Sequence, residues 1–150
     1  MDLQTIIDNS IASARNERMK TSEQLTIGEM LLKLESIQDK YKDEKEDINV
    51  FFDFAYLHPA GFISWRGSYA ELAIEFTEES DIPIPKLHDF IKDLRECIGK
   101  EFTGYKGGEY TMGKNTPVWV ANYGNSGKTG VVDVIYDGYD VMIITDFCEL

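Results

Sequence analysis

Cysteine, histidine and positive charge are scarce in this chain of 150 residues, and long apolar runs are missing. The two cysteines, Cys97 and Cys148, match neither a metal spacing nor a disulfide framework, so a reducing cytosol is expected. Only two histidines occur, His58 and His88. No His-x-Glu, His-Glu-x-x-His or Cys-x-x-Cys accompanies them, which removes support for a metal site or a metal cofactor. No serine stands in a Gly-x-Ser-x-Gly elbow. Fifteen basic residues face 27 acidic ones, a formal charge of −12, and a body so charged repels nucleic-acid polymers. No apolar run approaches the ~18–20 residues of a membrane span. The first residues lack the basic start and apolar run of a secretory leader, so none is expected. There are no internal repeats and no low-complexity segments.

What is present argues for a folded globule: 43% hydrophobic and 12% aromatic residues, in a length suited to one domain. That domain is expected to span 1–150, with a helical N-terminal part (1–45) and a sheet-rich core (48–150). Leu3, Ile6, Ile7, Ile11 and Ala14 give a helical stripe over 2–18. Thr26-Ile-Gly-Glu29 reads as a capping box opening a second helix, whose stripe is Ile27, Met30, Leu31, Leu34 and Ile37. A dense charge run, Asp39–Asp47, follows. Ile48–Tyr56 alternates as a strand. Tyr69–Phe76 reads as another, with a helix as the rival assignment there. A third helix begins at Ile84 or Pro85, carries Leu87, Phe90, Ile91, Leu94, Cys97 and Ile98, and stops at Gly99. Pro117–Tyr123 reads as a strand. Val131–Tyr136 and Tyr139–Thr145 form a C-terminal β-hairpin about a two-residue Asp137-Gly138 turn, pairing Tyr136 with Tyr139, Val134 with Val141 and Val132 with Ile143. The expected class is α+β: a mainly antiparallel sheet with three helices, two N-terminal and one central.

Two stretches stand apart from the acidic body. Phe102–Gly124 holds one acid, Glu109, against Lys106 and Lys114, with three tyrosines, one tryptophan and five glycines. His58–Tyr69 is free of acids and contains Trp65-Arg66-Gly67. Two near-misses to a phosphate-binding loop occur, Gly108–Asn115 and Asn122–Thr129. Each runs into a strand-like stretch, whereas such a loop must open a helix. His88 reads as a surface residue of the third helix, and His58 as the more interesting of the two. Paired acids such as Glu78-Glu79 read as solvated loop.

The cation-plus-aromatic clusters carry the ligand-binding expectation. Arg66 offers a planar fork for phosphate, and Lys106 sits beside Gly107 and Gly108, whose bare N–H groups can help hold an anion. Trp65, Tyr69, Tyr105 and Trp119 supply stacking or sealing faces, and Thr111, Thr116 and Asn122 supply polar readout. The competing reading places the tryptophans and tyrosines in the core and pairs Arg66 with Asp53 or Glu71.

The runs Phe62-Ile-Ser-Trp-Arg-Gly-Ser-Tyr69, Phe102-Thr-Gly-Tyr-Lys-Gly-Gly-Glu-Tyr-Thr-Met112 and Thr116-Pro-Val-Trp-Val-Ala-Asn-Tyr-Gly124 resemble a family of small phage and prophage accessory proteins. The resemblance covers roughly 48–130. It implies a protein made in an infected bacterial cytosol, and it brings no catalytic residues to carry over. The expected function is therefore a non-enzymatic counter-defence protein that sequesters a small anionic nucleotide, such as a cyclic nucleotide signal of antiphage immunity. A homo-oligomer would give a symmetric pocket for such a ligand. The alternative is an acidic inhibitor, or DNA mimic, of a host protein.

Overall fold

A computed structural model describes residues 23–41, 48–54, 57–64, 71–103, 108–121 and 129–148. The helix expected over 2–18 lies outside these residues. Two helices are described: α1 (Ile27–Tyr41) and α2 (Leu87–Glu96). The strands are β1 (Val50–Phe52), β2 (His58–Ser64), β3 (Leu72–Thr77), β4 (Glu101–Thr103), β5 (Glu109–Thr111), β6 (Val118–Val120), β7 (Thr129–Tyr136) and β8 (Val141–Phe147).

The capping box forms as the sequence predicts. The Thr26 N–H donates to Glu29 Oε1 at 3.0 Å, and the Glu29 N–H donates to Thr26 Oγ1 at 3.2 Å. Ile27, Met30, Leu31 and Leu34 then bury one stripe of α1. Leu87, Phe90, Ile91 and Leu94 do the same for α2. Complete burial of one such side chain is worth about 1.5–3 kcal/mol. Gly99 ends the second helical segment with φ of 81°, and its N–H donates to Met112 O at 2.8 Å.

The sheet corrects the mainly antiparallel expectation. It is mixed, in the order β1-β8-β7-β6-β3-β2, with a separate two-stranded β4–β5 ribbon. β1 runs parallel to β8, and β3 parallel to β6. The remaining neighbours are antiparallel. The two end strands also lie against each other, and the Phe52 N–H donates at 2.9 Å to the carbonyl of Leu57, the residue before β2, so the sheet curls almost into a barrel. Both parallel pairings join strands far apart in sequence, with α2 and the β4–β5 ribbon lying between β3 and β6. Parallel neighbours need such long connections. Strand-by-strand alternation carries no information about which strand becomes the neighbour.

The hairpin register is a second correction. Tyr136 pairs with Val141 and Val134 with Ile143, so the connection is four residues, 137–140. Asp137 explains it. Its Oδ1 accepts the N–H groups of Tyr139 at 2.8 Å and Asp140 at 2.7 Å, which holds a wider loop than a two-residue turn.

The main core lies between one sheet face and the two helices, with Leu34, Phe52, Leu72, Phe90, Val118 and Ile143 among its members. A smaller cluster on the other side of the sheet gathers Ala73, Trp119, Ala121, Val132 and Cys148. Val118 and Val120 belong to the first cluster and Trp119 to the second, as the alternation of β6 requires.

Candidate functional site

Leu25 is wedged between β6 and β7: its N–H donates to Val131 O at 2.7 Å, and its carbonyl accepts the Val118 N–H at 3.0 Å. This seats Thr26 beside Pro117 and starts α1 against the turn that precedes β6. The first N–H groups of α1 are then consumed. Ile27 donates to Thr116 O at 2.9 Å and Gly28 to Lys114 O at 2.9 Å. A Cβ on Gly28 would come within 3.0 Å of Lys114 O, so glycine is what lets the turn lie this close.

A half-open groove of about 700 Å³ results. Its apolar lining is Leu31, Leu32 and Ile98, and its polar lining includes Thr26, Glu29, Glu35, Arg95, Lys114 and Asn115. Leu32 stands 70% exposed, a large apolar side chain left in solvent on an otherwise amphipathic helix. Arg95 of α2 is ion-paired with Glu35 of α1, and both line the groove. Among the described residues no carboxylate lies within 4.0 Å of the Lys114 ammonium.

The residues singled out from the sequence are distributed as follows. Trp65, Arg66, Tyr69, Tyr105, Lys106, Gly107 and Asn122 lie outside the described residues. Their neighbours are placed. Ser64 pairs with Leu72, so both ends of the stretch holding Trp65 and Arg66 are fastened at one end of the sheet. The Leu72 N–H donates to Pro117 O at 3.2 Å, and Pro117 bridges Thr26. Two strand spacings, ~10 Å, therefore separate Leu72 from Thr26, which lines the groove. Thr103 pairs with Glu109 around the stretch holding Tyr105 and Lys106. That pair lies up to ~17 Å of extended chain from Ile98, at the far end of the ribbon.

Gly108 is exposed just before β5, and Thr111 is exposed on it. Thr116 Oγ1 accepts the Gly113 N–H at 2.8 Å and so shapes the turn bearing Lys114. Trp119 is 1% exposed in the smaller core cluster, and its indole N–H donates to Glu71 Oε1 at 3.0 Å. Asp53, the other carboxylate considered for Arg66, accepts Thr145 N at 3.0 Å and Thr145 Oγ1 at 2.7 Å. Gly108–Asn115 runs through β5 and a turn into β6, with no helix behind it to meet a phosphate.

Both histidines have structural settings. His58 is buried with Nε2 2.9 Å from Ile82 O, fastening the acidic 77–85 loop to β2. His88 is exposed beside Asp89, with Nε2 3.1 Å from its Oδ1. Asp133 is buried under α1, 3.3 Å from Lys33 Nζ, and also accepts the Val134 N–H at 2.8 Å. Among the described residues no three His, Cys, Asp or Glu side chains converge as metal ligands. Among them, too, no helix is long and apolar enough to cross a membrane.

No family model, curated protein or solved structure matches the chain. The groove is thus read on its own chemistry. Sequence reasoning reached Lys114 as a positive charge of the acid-poor Phe102–Gly124 stretch and, with Asn115, as part of a failed phosphate loop, and it passed over Thr26, Leu32 and Arg95 as ligand groups. One signal was available: Leu32 falls beside the buried stripe of α1, where a solvent-facing helix position ordinarily carries a polar residue.

Proposed function

We propose that this chain is a non-enzymatic, phage-type counter-defence protein that sequesters a small anionic nucleotide in the infected bacterial cytosol. The observation that supports this reading is the groove. It sets apolar side chains that a ring could cover in the same groove as Lys114, in a volume within the ~300–1,000 Å³ of small-ligand sites. In this reading Arg66 and Lys106 add phosphate contacts and Trp65, Tyr69 and Tyr105 add stacking. A homo-oligomer belongs to the same proposal.

The test is a thermal-shift panel on the full chain with cyclic mono-, di- and oligonucleotides and ADP-ribose derivatives. A ligand at 100 times its Kd adds about 2.7 kcal/mol, which raises the Tm by several degrees. A panel in which no member moves the Tm defeats the reading, and recovery of a chemically altered ligand would make the protein an enzyme instead.

One observation favours a second reading, an acidic inhibitor of a host protein. Glu78, Glu79 and Asp81 stand exposed on the 77–85 loop, close in sequence to the exposed Ile84 and held by His58 at Ile82.

A further inference from the structure

We infer that Arg95 is an anion-binding residue of the groove and that Glu35 holds its guanidinium until the phosphate of a nucleotide displaces the carboxylate, a step that rests on the nucleotide reading above and keeps the phosphate contacts given there to Arg66 and Lys106.

Helical spacing brings the two partners to the groove. On α1, Leu31 and Leu32 stand four and three residues before Glu35 and so share a face with it. Past the end of α2 the Ile98 N–H donates to Arg95 O at 3.1 Å, which continues the helical turn and sets Ile98 on the same side as Arg95. These side chains line the groove together with Lys114 and Asn115 of the turn before β6. A guanidinium and apolar side chains are thus presented in one concave surface, as a phosphate joined to a base requires.

The ion pair is one that a ligand can open. Arg95 Nη2 donates to Glu35 Oε1, and both side chains stand partly in solvent, 58% and 37% exposed. An exposed pair of this kind favours its closed form by no more than about fivefold. A guanidinium carries five N–H donors in a planar fork, which fits phosphate oxygens as well as a carboxylate. Glu35 therefore stands in for the ligand's anion on the same donors. A phosphate that takes Arg95 gains charge-assisted hydrogen bonds, and the released carboxylate can turn to water. Until that exchange Glu35 repels the phosphate, so the acid weakens binding where Arg95 strengthens it.

Glu29 supplies an internal comparison. It lines the same groove and bears the same charge, but its Oε1 accepts the Thr26 N–H at 3.0 Å, and among the described residues it pairs with no cation.

Calorimetric titration of the full chain with cyclic AMP, cyclic di-AMP and ADP-ribose tests this. For the tightest of these probes Arg95→Gln should weaken binding about tenfold or more, and Arg95→Lys should restore only part of the loss, since an ammonium lacks the fork. Glu35→Gln should do the reverse and tighten binding by up to about fivefold. Glu29→Gln, the same loss of charge without the guanidinium contact, should gain less. A pair that only braces the helices gives another pattern, in which Arg95→Gln and Glu35→Gln both lower the apo Tm and neither tightens binding. That pattern, a Glu35→Gln gain no larger than that of Glu29→Gln, or an affinity untouched by Arg95→Gln overturns the inference and leaves the nucleotide reading standing. Binding of no probe by the parent chain overturns both.

Discussion

Cys97 shows how burial sets the chemistry of a single side chain. It is 2% exposed, and its thiol donates to Asp93 O at 3.4 Å. Burial pushes its pKa up from 9.0 to about 11, with Asp93 and Glu96 adding to the rise and Lys100 opposing it. The unfolded thiol ionises first, so folding holds the proton more tightly between these values. Stability should therefore fall as pH climbs from 9 towards about 11, by on the order of 2 kcal/mol from this group. Urea denaturation of the parent and of Cys97→Ala at pH 8 and pH 10.5 isolates the effect from tyrosine and lysine titration. The stability difference between the two proteins should shrink at the higher pH; a difference independent of pH would contradict the burial argument. Trp119 gives the complementary lesson. Its residue type suits a stacking site and a core equally, and only its 1% exposure and its bond to Glu71 place it inside.

At the scale of elements, local side-chain chemistry decides boundaries and registers. The Thr26–Glu29 box starts α1 where the sequence predicts, because both partners lie within one turn. The β7–β8 connection departs from its Asp-Gly reading because Asp137 reaches two backbone N–H groups beyond it. Gly138 takes φ of 99° in the resulting loop. Asp137→Ala should cost about 1 kcal/mol, seen as a lower urea midpoint with an unchanged m-value. Asp137→Asn, which keeps an acceptor oxygen, should retain most of the stability. Equal losses in both variants would show that the carboxylate charge, and not the loop hydrogen bonds, is what matters.

At the scale of the whole molecule, charge is the dominant property. A body of −12 steers cations and basic partners from a distance, and added salt suppresses that steering. If the host-protein reading holds, affinity capture from bacterial lysate should yield one stoichiometric partner. Its recovery should drop steeply as salt rises from about 0.05 to 0.3 M, a range over which the Debye length shortens more than twofold. A partner held equally at both ends of that range would point to apolar docking. For the nucleotide reading the same field is an obstacle that the local contacts of the site must offset.

The apolar periods of α1 and α2, the cap at Thr26 and the opposite faces of Val118 and Trp119 were legible in the chain, because each rests on residues one to four apart. The same holds for the net charge and for the exclusion of a helix behind Gly108–Asn115. Strand order, the parallel β1–β8 and β3–β6 pairs, the four-residue hairpin loop and the groove were not legible. They depend on residues such as Thr26, Arg95 and Lys114, which lie far apart along the chain and meet only after the sheet curls and the helices cover it. Local pattern determined what each segment could become; the competition among long-range pairings for one shared core decided which surfaces came to face each other.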